Sequence, residues 1–456
     1  MLVDLGMLIR IKSLKYIVLV IVSLFFISCA TKENVVVELE KESKKSIEIY
    51  EVSKIPQDVK FFTQNASEYR EKESVQSQYE KYYFSVWNYE KPRVTIEDAM
   101  WGFRAYDAKN SYAENFHPQS QGFFDEMKEN ANFDAYATLN TRAITLRHVD
   151  LRVFPTSKPL LKDPNIAGEG FPFDYLQNST LGANKPLFVS HYSKDREWLY
   201  AFSSFASGWI RSSEVVFLDK EHAEAWQNAQ QIFFIKDKQA IYTSKGNFLF
   251  SSKLGTLLAL ISEDEDSFTA LAISSYKNSK PLFERVKISK SIAKKEVLNL
   301  DRDSLSSVMN EVFEDNYGWG GMYGQRDCSS MLRDMYAPFG IWLPRNSTEQ
   351  AKIGEVISLE NLSDDEKISI IKDKAVPFET LLYVKGHIVL YVGLLDEEII
   401  IFHNTWGVKT IEDGVMGRAV IGKTIFSTLE LGNDLPNYDR ESSILKNLKS
   451  MNTLTR

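Results

Sequence analysis

"GQRDCSSMLRDMY", Gly324 to Tyr336, holds one of only two cysteines in 456 residues. Asp327 is a good helix N-cap residue, and Met331, Leu332, Met335 and Tyr336 recur at helical spacing. The pattern predicts a helix with Cys328 in its first turn. What that thiol does depends on the compartment and on which side chains reach the sulfur.

The N-terminus bears on the compartment. Arg10, Lys12 and Lys15 precede the apolar run "YIVLVIVSLFFI" (Tyr16 to Ile27), which Ser28 and Cys29 follow. A basic region, a short apolar run and a small residue describe an export signal. Twelve residues at about 1.5 Å each span roughly 18 Å, short of a ~30 Å hydrocarbon core. Residues 1–28 are therefore read as a signal peptide, with a single transmembrane anchor as the alternative. "FISCA" resembles a bacterial lipobox, with Phe26 where leucine is usual. The resemblance implies that Cys29 is acylated, each buried methylene adding about 0.8 kcal/mol of membrane affinity. Ala30 after it implies the periplasmic side of the outer membrane by analogy with lipoprotein sorting, or another envelope anchor. Met7 competes with Met1 as the start. With Cys29 lipidated, Cys328 has no intramolecular disulfide partner, and an unpaired thiol in an exported protein is either reactive or a buried inert one.

A chain of this length that is 44% hydrophobic builds a large core and several domains. Its 54 basic and 62 acidic residues are mixed along the sequence. No basic stripe marks a nucleic-acid partner, and none is expected. Residues 29–57 are charged and read as a tether. Residues 58–134 form a helical region in which Thr95 and Asp98 make a box akin to a capping box. Residues 135–218 and 219–298 change to short apolar alternating runs broken by Gly, Pro, Asn and Ser, the pattern of two small all-β barrels. "REWLYAFSSFASGWIRSSEVVFL" (Arg196 to Leu218) resembles the end of a bacterial SH3 domain. Residues 299–456 switch to a helix over Asp303 to Trp319, the glycine-rich "YGWGGMYGQRDC", the cysteine helix, and strand-like segments. One helical half followed by an antiparallel sheet is an α+β domain.

A cysteine nucleophile needs a base, and two of the six histidines lie on neighbouring strands, His387 and His403. If they face each other directly, Tyr391 faces Ile399 and the hairpin loop is Leu394 to Asp396. Both imidazoles then share one face. A two-residue slip preserves this and a one-residue slip destroys it. A metal pair is the alternative, but no third ligand at useful spacing accompanies them, so no metal or other cofactor is expected. On this reading the helix N-terminus and an imidazolium lower the Cys328 pKa, His387 is the base, and His403 fixes its tautomer. The Cys328 N–H helps hold the oxyanion of an acyl transfer to water through a thioester. His117, His148, His191 and His222 are read as structural.

"YGWGGMYGQRDCSSMLRDMYAPFGIWLPRNSTEQ", "GHIVLYVG" and "IFHNTWG" resemble the NlpC/p60 family of bacterial cell-wall cysteine peptidases, strongly over residues 300–430. The resemblance implies a papain-like α+β catalytic domain behind two SH3-like barrels and a helical N-terminal region. It implies hydrolysis of peptidoglycan stem peptides, between γ-D-glutamate and a diamino acid, by Cys328, His387 and His403. It also implies that Asp327 binds the free amine of an N-terminal L-alanine as well as capping the helix. Ser329 and Ser347 then line the substrate site, Tyr175 in "FPFDYLQNS" closes it, and Trp319 with Gly320 and Gly321 shapes the cleft, or makes a tight turn. Ser330 stands where the family commonly has glycine, which implies a narrower approach to the thiol. An acyltransferase or amidase on another substrate, and a non-catalytic wall-binding lipoprotein, are the competing functions.

Overall fold

The computed structural model describes residues 50–66, 74–277 and 280–454. The signal peptide, Cys29 and residues 30–49 of the expected tether lie outside them. Among the described residues no helix is long and apolar enough to cross a membrane.

The tether does not extend to Gln57. A helix spans Tyr50–Lys54, and Ile55 is buried against the C-terminal domain. The Gln57 amide bonds the backbone of Phe426 in both directions, at 2.9 and 3.0 Å. Charge dominates the composition of this segment, but one isoleucine and one amide suffice to seat its end. Short helices follow, including Val59–Thr63, Ser74–Tyr83, Ile96–Ala99 and Gln121–Asn130. Asp58, Thr95 and Ser120 cap three of them by accepting backbone N–H groups of the first turn. This helical region is a brace. Trp87 Nε1 donates to the Ala143 carbonyl at 2.9 Å, Tyr79 donates to Gly255 at 3.0 Å, and Phe62 packs on Phe426 at 4.5 Å between ring centroids.

Seven strands build the first barrel: β1 (Thr141–Thr145), β2 (Val149–Arg152), β3 (Gln177–Leu181), β4 (Pro186–Tyr192), β5 (Trp198–Phe202), β6 (Ser207–Arg211) and β7 (Val215–Leu218). They pair in the order β3-β2-β6-β5-β4-β1-β7. The second barrel uses β8 (Gln231–Phe234), β9 (Ala240–Tyr242), β10 (Phe248–Ser251), β11 (Leu257–Glu263), β12 (Ser267–Lys277), β13 (Lys280–Ser289) and β14 (Ala293–Lys294). His191 sits in the first barrel's core between Ser190 and the Ala131 carbonyl, and His148 reaches the Ser251 carbonyl of the second barrel at 2.9 Å.

In the C-terminal domain the helix expected over Asp303 to Trp319 stops early, at Arg302–Met309. Positive-φ backbone at Glu314, Gly320 and Gly321 turns the chain afterwards. The helix Cys328–Tyr336 then packs on a six-stranded antiparallel sheet. That sheet contains β15 (Glu355–Ser358), β16 (Thr380–Val384), β17 (His387–Leu395), β18 (Glu398–Glu412), β19 (Val415–Thr428) and β20 (Leu448–Thr453), ordered β15-β20-β16-β17-β18-β19. Met331, Leu332, Met335 and Tyr336 meet Leu381, Ile388, Leu390 and Phe402 in one core.

Just before this helix Arg326 is fully buried among three carboxylates: Asp237 at 2.6 Å, Asp315 at 3.0 Å and Asp334 at 2.9 Å. Asp237 belongs to the second barrel, so the cluster locks that barrel to the cysteine helix. Burial alone would raise the Asp334 carboxyl, but Lys253, Arg333 and Arg326 hold it well below the usual range. A carboxylate depressed in this way stabilises the fold above about pH 4, and that stability is lost as pH falls. Arg326→Met leaves buried charge unpaired and is expected to cost about 3–5 kcal/mol. Urea denaturation at neutral pH measures this, and a loss under about 1 kcal/mol would contradict the cluster's role.

Candidate active site

Asp327 caps the cysteine helix in extended backbone, φ -92° and ψ -179°. Its Oδ1 accepts the Ser330 N–H at 2.9 Å, and its own N–H donates to the Ser330 hydroxyl at 2.9 Å. Ser330 is therefore the second half of a capping box, with its hydroxyl turned to the Asp327 backbone. Arg345 grips Asp327 with both terminal nitrogens, at 3.1 and 2.7 Å, and donates from Nε to Ser179 of β3 at 2.8 Å. Ser329 donates to Asp327 at 3.2 Å. Burial would raise the Asp327 carboxyl, yet Arg345 and the cap hold it below its ordinary value.

The hairpin carrying the histidines is slipped by two residues from direct opposition. Tyr391 faces Ile401, and Leu390 faces Phe402. A bulge follows Tyr391, and the turn is a two-residue one, Asp396 and Glu397, both at positive φ. An even slip keeps both rings on one face. His387 Nε2 lies 2.8 Å from His403 Nδ1, and His403 Nε2 lies 3.0 Å from the Ser427 hydroxyl. Ser427 donates its single proton to the Thr428 carbonyl at 2.9 Å. It therefore accepts from His403 Nε2–H, His403 Nδ1 accepts from His387 Nε2–H, and His387 Nδ1 keeps a lone pair. Buried Ser427 thus sets the tautomers of both rings.

The Cys328 sulfur is 7% exposed as a residue and lies beside the N–H of Ile388, the residue after His387. Burial, and then the Asp327 charge, pushes the thiol up to about 12, against the N–H groups of Ile388 and Ser329 and the charge of Arg345. Burial pulls His387 down to about 4, against Asp327. The expectation of a lowered thiol pKa is not met: desolvation outweighs the helix N-terminus and favours a thiol beside a neutral imidazole.

Cys328 stands where two lobes of a cleft meet. The lobe of about 510 Å³ contains Asp327, Ser329, Arg345 and Ser347, with Tyr175, Asn178 and Phe205 from the first barrel. The other, about 710 Å³, contains His387, Trp406 and Arg418. Tyr175, Tyr317 and Trp319 border both lobes. Trp319 Nε1 donates to the Asp174 carbonyl at 2.9 Å. A Cβ on Gly320 or Gly321 would meet Gln177 O at 2.4 Å or Thr180 Oγ1 at 2.3 Å. The glycines thus let the catalytic domain's loop lie directly on β3. No group of histidine, cysteine and acidic side chains suited to a metal occurs among the described residues. Sequence reasoning misses Tyr317, Arg345 and Ser427: Tyr317 and Arg345 lie inside the family-like stretch from Tyr317 to Gln350, whereas a serine in a strand gives no signal.

Family models match four stretches. Residues 314–424 match the NlpC/P60 family, and 18–136 match an N-terminal NLPC_P60 stabilising domain. Residues 159–211 and 219–265 match SH3 domains of SH3b1 and SH3b2 type. The C-terminal domain is an NlpC/P60 domain. Its fold is shared with a novel NlpC/P60 endopeptidase from Photobacterium damselae subsp. piscicida, at 23% identity and a TM-score of 0.77, over 88% of this chain and 98% of that one. An NlpC/P60 family protein from Bacillus cereus ATCC 10987 is less similar, at 16% identity and a TM-score of 0.46, over 69% of this chain and 100% of that one. No curated protein matches the sequence. NlpC/P60 membership implies a cysteine peptidase of the cell wall.

For a resting thiol, iodoacetamide labelling of Cys328 is expected to climb steadily from about pH 6 to about pH 10. A plateau near neutrality would instead show a preformed thiolate–imidazolium pair. Ser427→Ala frees His403 to take the other tautomer and should lower kcat about tenfold with little change in KM, by steady-state kinetics.

Proposed function

We propose that this NlpC/P60 protein hydrolyses peptidoglycan stem peptides between γ-D-glutamate and a diamino acid, with Cys328 as nucleophile, His387 as base and His403 as orienting residue. The observation that carries the reading is the hydrogen-bonded chain Ser427–His403–His387, which leaves one ring nitrogen unprotonated at a cleft containing the sulfur.

His387 Nδ1 takes the thiol proton as Sγ attacks the carbonyl carbon, so charge develops only in the transition state. The Cys328 N–H at the helix start is one oxyanion donor. Tyr317 is a second, its phenol kept protonated by burial first and then by the Asp327 charge. Single donors of this kind contribute ~10²–10³-fold. The proton then passes from His387 to the leaving amine, and the C–N bond breaks to leave a thioester. Water, deprotonated by His387, attacks the thioester and releases the acid and the thiol.

The lobe holding Asp327, Ser329 and Ser347 suits the acyl side of the substrate and a free N-terminal L-alanine. Asp327 stays ionised there although buried, and most of its lone pairs are already used by Arg345, Ser329 and the cap. An ammonium ion fits what is left. Tyr175, bonded to Glu169 at 2.7 Å, walls the lobe from the first barrel. An anchor through acylated Cys29 at the periplasmic side of the outer membrane fits the lipobox, and it would place the enzyme where released stem peptides pass.

Incubation with defined muropeptides, read by mass spectrometry, is expected to show the γ-D-glutamyl bond cut by the parent protein and intact with Cys328→Ser. Binding without turnover by the parent would refute the reading. Acetylating the L-alanine amine should lower kcat/KM by about 100-fold or more, because the substrate loses the positive charge that Asp327 attracts and brings an acyl group in its place. Undiminished cleavage would remove Asp327 from substrate recognition.

A further inference from the structure

The lobe beyond His387 carries a charge pattern that the chemistry above does not use. On the ribbon of β18 and β19, Lys409 lies directly opposite Arg418, and both line this lobe with Cys328 and Trp406. Directly opposed like charges on neighbouring strands repel each other. Neither cation forms an ion pair among the described residues, and Arg418 Nε is buried without a hydrogen-bond partner. The acids nearby are engaged elsewhere. Glu169, whose charge reaches Arg418, accepts the Tyr175 hydroxyl and sits 3.9 Å from Lys162. Asp439 accepts the Glu441 N–H, and Glu441 pairs with Lys446. Gly168 lies against the guanidinium at φ +84°, and a Cβ there would meet Arg418 Nη2 at 2.2 Å. The fork is thus seated on bare backbone and borders the cleft.

We propose that Arg418, with Lys409 beside it, binds a carboxylate of the substrate, the one carried by the residue that leaves. A guanidinium matches a carboxylate in planar geometry, and a second cation adds charge without competing for the fork. The proposal rests on the stem-peptide reading. With the N-terminal side in the Asp327 lobe, the chain beyond the scissile bond enters this one, and the leaving diamino acid carries a carboxylate. The α-carboxylate of D-glutamate is the other source of the same chemistry, on the acyl side.

The test uses L-Ala-γ-D-Glu-meso-diaminopimelate, the same peptide amidated on the diamino acid, and the same peptide amidated on the D-glutamate α-carboxyl. The full chain is expected to prefer the free diamino acid to its amide by about 10- to 100-fold in kcat/KM. Arg418→Leu should collapse that ratio toward one and Arg418→Lys should restore part of it, with Cys328 labelling by iodoacetamide reporting an intact site. Should Arg418→Leu fail to fold, inhibition of the parent protein by diaminopimelate against its diamide reads the same preference. A penalty confined to the D-glutamate amide would overturn the leaving-side assignment. Equal cleavage of all three peptides would overturn the carboxylate receptor and leave the peptidase reading standing. No cleavage of any of them would remove both.

Discussion

One buried guanidinium determines where the cleft can be. Arg326 joins carboxylates from the second barrel, from the loop after the Arg302–Met309 helix, and from the cysteine helix itself. Each of these ions would cost several kcal/mol to bury alone, so the cluster holds only if all its members arrive together. The residue after Arg326 is the helix cap, and the next is the cysteine. Any displacement of the cluster is thus passed on to the sulfur through two peptide bonds. None of the described residues of the second barrel lines either lobe of the cleft. Its contribution is mechanical, whereas the first barrel supplies wall residues and, through Ser179, a partner for Arg345.

Burial sets the character of the chemistry. The same desolvation that favours a neutral His387 also favours the protonated thiol of Cys328. An uncharged pair is a weaker nucleophile at rest, but in the proposed mechanism it lets His387 act as a base in the transition state, and it protects the thiol from oxidants that react with thiolate. The proposed mechanism depends on the tautomer chain through His403 to Ser427, because a neutral imidazole is useful as a base only if its lone pair points the right way.

The layout of the fold was legible from alternation and turn residues: helices first, then two runs of short strands, then an α+β domain. The sulfur and two histidines were legible too, because cysteine and histidine are scarce and an even hairpin slip cannot separate their faces. What could not be read were quantities set by depth. The direction of the thiol's shift depends on how thoroughly the barrel and sheet cover Cys328, and composition carries no measure of that. Ser330 looked like a departure beside the active thiol, but its hydroxyl is turned back to the Asp327 backbone. Composition misplaces the end of the tether because charge dominates it, while Ile55 and Gln57 decide its fate.

The long antiparallel ribbon of β18 and β19 carries His403 at its base and Arg418 further out, with a break in register at Gly407 between them. The bulge isolates the outer part from the inner. Insertions or exchanges beyond it can change the lining of the lobe that Lys409 and Arg418 border while the inner strands hold the imidazole in place. An architecture of this kind lets substrate preference drift among descendants without jeopardising turnover, so diversification within such a lineage should concentrate in the outer half of this arm.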